Sequence, residues 1–164
     1  MAIAVLMRRV SPEDVARGLE HLESGFGATM DDDVFAAEAA AGLLCSLGRD
    51  WAFVDLALTG DRHTSGTLAD LVVLGGDPLG QAGPADRDMI ILLDVEKTAV
   101  AAAYLGDIDP DALLEQRRPQ LSERAGGVLS DEFLAGVRQH LENLRAFYTA
   151  AAKAGQAVAK RTYL

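Results

Sequence analysis

The most polar loop of the sequence brings together the residue types that acid–base and nucleophilic chemistry use. Gly60 and Gly66 bound it, and between them lie Asp61, His63 and two hydroxyl side chains. A histidine beside a carboxylate can act as a general base toward a hydroxyl group. A catalytic triad is defined by geometry, however, and the sequence has no Gly-x-Ser-x-Gly motif. We therefore expect a solvated loop, with no catalytic residue, and name Asp61 and His63 only as candidate binding residues.

A second pair of candidate binding residues, Trp51 and Asp55, lies in an apolar segment. The two side chains share a face whether the segment is a helix or a strand, and its length does not decide between them. A partly buried carboxylate near a tryptophan has a shifted pKa and can mark a functional site. A structural aspartate gives the same pattern, and we favour a structural role for Asp55 over a functional one.

Metal and cofactor sites are not indicated. The three histidines are scattered without a His-x-His or His-Glu-x-x-His spacing, and Cys45 is the only cysteine. Cys45 is therefore expected to be an inert buried thiol, with no disulfide. The glycines between Gly75 and Gly80 lack the lysine of a phosphate-binding loop and predict a turn. We expect no metal and no cofactor.

Three consecutive aspartates, at residues 31–33, precede an alanine-rich stretch that runs to Leu47. Acidic residues are favoured at helix N-termini because the helix dipole is positive there. Neither the spacing nor the glycine of a calcium-binding EF-hand is present. The stretch therefore predicts a helix with an acidic start that ends at Gly48.

The charge of the chain limits its partners. Its 25 acidic and 15 basic residues give a formal net charge of −10. Neutralising phosphates requires a basic face, so a nucleic-acid binder is not expected, and an anionic membrane would be repelled. No apolar run is long enough to span a membrane, and the N-terminus has the wrong order for a signal peptide. We expect a soluble cytoplasmic protein whose partner, if it has one, is a basic protein.

The C-terminal third predicts the main architectural element. Leu134, Val137, Leu141, Leu144 and Tyr148 repeat at helical spacing after a capping signal at Ser130. Gly155 can end this helix, and residues 156–164 then read as a closing strand.

The rest of the chain predicts more helices and two further strands, at residues 2–7 and 89–93. Ser11-Pro12 and Asp109-Pro110 are helix starts, Gly25 and Gly27 are expected to break the first helix, and Pro119 is expected to end the later one. The sequence thus predicts one α+β domain over residues 1–164. The domain is helix-rich. Its helices pack on a small sheet that includes the N-terminal and C-terminal strands, and its C-terminal helix is long.

The order of several short motifs is similar to that of a known family. They are Ser-Pro-Glu-Asp-Val at residues 11–15, Trp51 eight residues before Thr59-Gly60, Gly75-Gly76 with Pro78, and Leu-Arg-Ala-Phe-Tyr at residues 144–148. Together with Gly155, they resemble the YfbM-like family of small bacterial proteins, a domain of unknown function. The resemblance implies an α+β fold and no activity. Members often carry a histidine where this chain has Asp55, so no role of that histidine is carried over.

Two functional hypotheses remain open. The first is a non-catalytic acidic protein that binds a basic partner, for example an intracellular neutraliser of a toxin, as an immunity protein is. The alternative is a small enzyme or ligand-binding domain with a cleft near Asp55 and the Gly60–Gly66 loop. Monomer and homodimer are equally compatible with the sequence. The first hypothesis is favoured because no motif assigns a catalytic residue.

Overall fold

The chain is described by a computed structural model that covers residues 4–60, 66–82 and 88–163. Eight helices and five strands lie in these residues. The strands are β1 (Ala4–Val10), β2 (Leu44–Gly48), β3 (Asp77–Ala82), β4 (Asp88–Leu93) and β5 (Ala157–Tyr163). The helices are α1 (Pro12–Ala16), α2 (Leu19–Ala28), α3 (Asp32–Ala40), α4 (Trp51–Thr59), α5 (Asp70–Val73), α6 (Val95–Asp107), α7 (Pro110–Ala125) and α8 (Asp131–Lys153).

The five strands form one antiparallel sheet in the order β2-β1-β5-β4-β3. The C-terminal strand β5 is central: Met7 of β1 and Ile91 of β4 both pair with its Lys160. The sheet thus includes the N-terminal and C-terminal strands, and the predicted α+β class is confirmed. Among the described residues, no helix is long and apolar enough to cross a membrane.

Helices cover both faces of the sheet. Successive side chains of a strand point to opposite faces, so each strand contributes to two cores. On one face, Val5, Met7 and Val158 belong to a large core shared with α4 to α8. On the other, Leu6 and Ile90 belong to a smaller core with α2 and part of α1 and α3. Strands buried on both sides explain why β1 and β4 read as continuous apolar runs instead of alternating ones.

The predicted C-terminal helix is confirmed as α8. The Ser130 side chain caps it by accepting a 3.1 Å hydrogen bond from the backbone N–H of Phe133. Val137, Leu141 and Leu144 are buried on its inner face, which is the predicted apolar stripe. Gly155, with a φ of +62°, follows the helix, and β5 begins two residues later.

Two strands were missed by the sequence pattern. The alanine-rich helix was predicted to reach Leu47, but α3 ends at Ala40 and β2 follows, because Gly42 adopts the left-handed conformation and residues 44–48 pair with β1. The predicted turn after Gly75 instead contains β3. Pro78 has no N–H, so it is suited to this edge strand, and the register shifts between Pro78 and Gln81.

Two predicted helix breaks were also wrong. Gly25 and Gly27 lie inside α2, and the first break comes earlier, at Gly18 with a φ of +88°. A Cβ at Gly25 would lie 3.4 Å from Nη1 of Arg8, so glycine leaves room for the guanidinium group. Pro119 lies within α7, which continues past it to Ala125, and Leu114 and Leu121 on either side of it are buried in the core.

Candidate functional site

The α4 segment places two of the predicted binding residues. It is a helix, so Trp51 and Asp55 lie one turn apart on the same face, as expected for either secondary structure. Both side chains are partly buried. The helix ends at Gly60, which has a φ of +75°. Asp61 and His63 lie outside the described residues, so their proposed role stays a prediction.

Lys160, which is not among the predicted site residues, is a buried lysine. Its side chain is fully buried in the central strand. The Nζ atom donates hydrogen bonds to the carbonyl oxygens of Leu71 and Gly75, the second at 2.7 Å. Burial lowers the pKa of Lys160 to about 7, and the nearby charge of Asp55 opposes this effect. Lys160 is adjacent to Arg161 in this strand, so the sequence pattern alone does not show which of the two charges is buried.

The partly buried Asp55 and the buried Lys160 influence each other electrostatically. The pKa of Asp55 is raised to about 6, first by burial and then by the charge of Asp70, while the charges of Lys160 and Arg124 oppose the shift. Both groups therefore change charge near neutral pH. This is the property that functional sites share with buried structural pairs.

The contacts of Lys160 have a structural explanation. The last carbonyl groups of a helix lack partners within the helix, and lysine side chains can satisfy them. Lys160 does so for the short helix α5 and the residues after it. Tyr148 of α8 assists, because its Oη donates a 2.6 Å hydrogen bond to the carbonyl oxygen of Val72. The cluster therefore anchors α5 to the sheet and to α8.

A second polar cluster lies on the other face of the sheet, beside a cavity of about 220 Å³. Nε2 of His21 lies 2.9 Å from Oδ1 of Asp14, and the Ser11 hydroxyl donates to Oδ2 of Asp14 at 2.8 Å. These hydrogen bonds hold the pKa of Asp14 at about 2, below its usual value. The sequence predicts Ser11 as a helix cap, but the contact of His21 with Asp14 has no local signal, because it joins two different helices.

Arg8 is the cation of this second cluster. Its guanidinium group donates to the carbonyl oxygen of Gly25 and to the Glu38 carboxylate, each at 2.6 Å. These contacts connect β1 to α2 and α3. Since its side chain already has two acceptors in the protein, Arg8 serves packing of the helices on the sheet.

An apolar groove of about 470 Å³ lies along the edge strand β2. Residues 44–46 form its floor. Phe35 and Ala39 of α3 form one wall, and Ala146 and Ala150 of α8 contribute to the other. Asn143 and Phe147 also line the groove, so its walls combine small alanine side chains with two aromatic rings beside the strand edge.

The remaining sequence candidates have structural roles. Oδ1 of Asp31 accepts hydrogen bonds from the N–H groups of Asp33 and Val34, so the aspartates begin a helix as predicted. Cys45 is buried, and burial raises the pKa of its thiol to about 12, which makes the thiolate scarce. Within the described part of the chain, no three His, Cys, Asp or Glu residues are grouped to hold a metal ion.

Comparisons with known proteins give a family and a fold. The family model described as domain of unknown function (DUF1877) matches residues 1–159. The crystal structure of YfbM from Escherichia coli, a protein of unknown function, is similar to this chain with a TM-score of 0.62 and 17% identity. The match covers 97% of this chain and 99% of that chain. No curated protein matches. The chain belongs to the DUF1877 family, as the motif order at residues 11–15 and 144–148 indicated.

Proposed function

We propose that this protein is a non-catalytic binding protein that recognises a basic protein partner through the surface around α3. The observation that carries the proposal is the exposure of this helix. None of its nine residues is buried, although four are alanine and two are valine and phenylalanine. A largely apolar helix that contributes little to the core is a candidate contact surface for another protein.

The negative charge of this surface indicates that the partner carries positive charge. Asp32 and Asp33 are exposed on α3, which has no basic residue, whereas Glu38 is paired with Arg8, and the whole chain has a net charge of −10. Such a field attracts a basic protein and accelerates its association. A toxin neutralised inside the cell is one concrete form of this partner.

Capture from a native lysate tests the proposal. The wild-type protein is compared with an Asp32→Asn, Asp33→Asn double variant, which removes two exposed charges while leaving the Asp31 cap intact. We expect a basic protein to be retained at low salt, released at high salt and retained less by the variant. A partner bound equally by both proteins at all salt concentrations, or no partner, would contradict the proposal.

A ligand-binding or enzymatic site near Asp55 is the second candidate. The observation in its favour is the raised pKa of Asp55 beside the lowered pKa of Lys160. A small-molecule thermal-shift screen of the wild-type protein and an Asp55→Asn variant tests it. A compound that stabilises only the wild-type protein supports this candidate, and no difference across the screen removes it.

A further inference from the structure

The outer edge of β2 offers backbone groups to another strand. β2 is the end strand of the sheet and pairs only with β1 among the described residues. The Arg9 N–H donates to the Leu43 carbonyl oxygen at 2.9 Å. Since backbone groups of successive residues point to opposite sides of an antiparallel strand, those of Leu44 and Ser46 point away from β1. Each supplies a donor and an acceptor to the groove.

The two edges of the sheet differ in protection. β3 carries Pro78, an acidic residue and an irregular register, which are features that discourage further pairing. β2 consists of Leu-Cys-Ser-Leu-Gly, with no proline and no charge. Its edge lies in a groove instead of being covered by a helix. An unprotected edge of this kind is suited to β-strand addition.

We infer that an extended basic segment of a partner protein adds to the sheet as a sixth strand, antiparallel to β2, in the groove between α3 and α8. This inference rests on the proposed function and specifies how the partner binds. Alternate side chains of the added strand would face the two helices. On the α3 side they meet Phe35 and Ala39, and on the α8 side Ala146 and Ala150. The partner segment therefore has apolar side chains within the groove and basic residues at its ends.

Charge favours this occupant over a second copy of the chain. Antiparallel pairing of β2 with the β2 of a second copy would create a two-fold axis perpendicular to the joined sheet. Both α3 helices would then lie on the same side of the joint. Their exposed Asp32 and Asp33 side chains, in chains of net charge −10, would repel each other. A basic segment gains attraction from the same residues.

Selection from a random peptide library displayed on phage tests the inference. The baits are wild-type protein, Ser46→Pro and Ser46→Ala. Proline removes the outward N–H and is tolerated on edge strands. Both substitutions remove the Ser46 hydroxyl that accepts from the Gly48 N–H, so alanine is the matched control. We expect selected peptides with alternating apolar residues and terminal lysine or arginine, which bind Ser46→Ala like wild type and Ser46→Pro at least about tenfold more weakly.

A second pair of variants tests the inference without changing the sequence of β2. Ala39 is exposed on α3 and lines the groove, so either charge can replace it without disturbing the core. Ala39→Lys is expected to weaken binding of the selected peptides several-fold, whereas Ala39→Glu keeps or strengthens it. Equal effects of the two charges would overturn the basic character of the partner segment.

The outcomes separate this inference from the proposed function. If Ser46→Pro and Ala39→Lys both retain a salt-sensitive basic partner from a lysate, the proposed function stands and strand addition is overturned. Selected peptides that bind Ser46→Pro as tightly as wild type, or no selected peptide, also overturn it. A wild-type dimer in analytical ultracentrifugation that Ser46→Pro dissociates would assign the edge to a second copy, and the inference would be wrong.

Discussion

Nζ of Lys160 donates a 2.7 Å hydrogen bond to the carbonyl oxygen of Gly75, which ties the central strand to the residues after α5. Gly75 suits this contact, because a Cβ there would lie 2.5 Å from the Asp70 carbonyl oxygen and could not be accommodated. Lys160 therefore places polar contacts within the core, and these contacts hold the short helix α5 against the sheet. An anchor of this kind stabilises the fold in a manner that depends on pH.

The first prediction concerns this pH dependence. The folded protein lowers the pKa of Lys160 to about 7, from 10.5, so above pH 7 the unfolded chain binds a proton that the folded chain does not. The free energy of unfolding therefore rises with pH in this window, by about 2 kcal/mol between pH 7 and pH 9. Urea unfolding of wild type and Lys160→Met measures it. We expect the variant to lack this rise, and parallel profiles would contradict the assignment.

The second prediction concerns Asp55. Its pKa is raised from 3.8 to about 6, so between these values the folded chain holds a proton that the unfolded chain has lost. Stability therefore falls as pH rises through this range, by about 1 kcal/mol after allowance for solvent screening at a partly buried group. Asp55→Asn should remove this decrease in urea unfolding between pH 4 and pH 6. A variant that loses as much stability as wild type over that range would refute it.

The third prediction concerns Tyr148. Its hydroxyl group bonds the Val72 carbonyl oxygen within the core, so Tyr148→Phe leaves a buried acceptor without a partner. We expect a loss of about 1–2 kcal/mol in the free energy of unfolding. Tyr104→Phe is the control, because no hydrogen bond joins its hydroxyl to the described residues. Equal losses in both variants would show that the hydrogen bond to Val72 makes no specific contribution to the free energy of unfolding.

The fourth prediction concerns acid unfolding and Asp14. Its hydrogen bonds to His21 and Ser11 lower the pKa to about 2, so its stabilising contribution is present above pH 3.8 and is lost as pH falls toward 2. The melting temperature of Asp14→Asn, followed by circular dichroism, should therefore fall less steeply from pH 4 to pH 2 than that of wild type. Glu13→Gln, one residue away, should follow the wild-type curve.

The local signals of the chain predicted much of the fold. Capping residues and periodic apolar residues identify α8, and continuous apolar runs identify β1 and β4. β2 was missed because it follows an alanine-rich helix, and β3 was missed because its sequence contains glycine. Pairing with distant strands decides the conformation of both. Local preference is overridden there by contacts distant in sequence.

The candidate site was harder to predict than the fold. Trp51 and Asp55 share a helix face as expected, but the pKa of Asp55 depends on its burial in the folded chain and on charges that include Lys160, more than 100 residues away. The groove along β2 arises from α3 and α8, which are far apart in sequence. Neither arrangement leaves a local pattern, because each depends on how the sheet brings its strands together.

Amide hydrogen exchange at Leu44 and Ser46, measured by NMR with and without a peptide selected from the phage library, is the sharpest test of strand addition to β2. Strand addition predicts that the outward N–H groups of both residues exchange at least about tenfold more slowly in the complex, because they gain backbone hydrogen bonds. Unchanged exchange at these two residues, with protection elsewhere on the surface, would contradict the account.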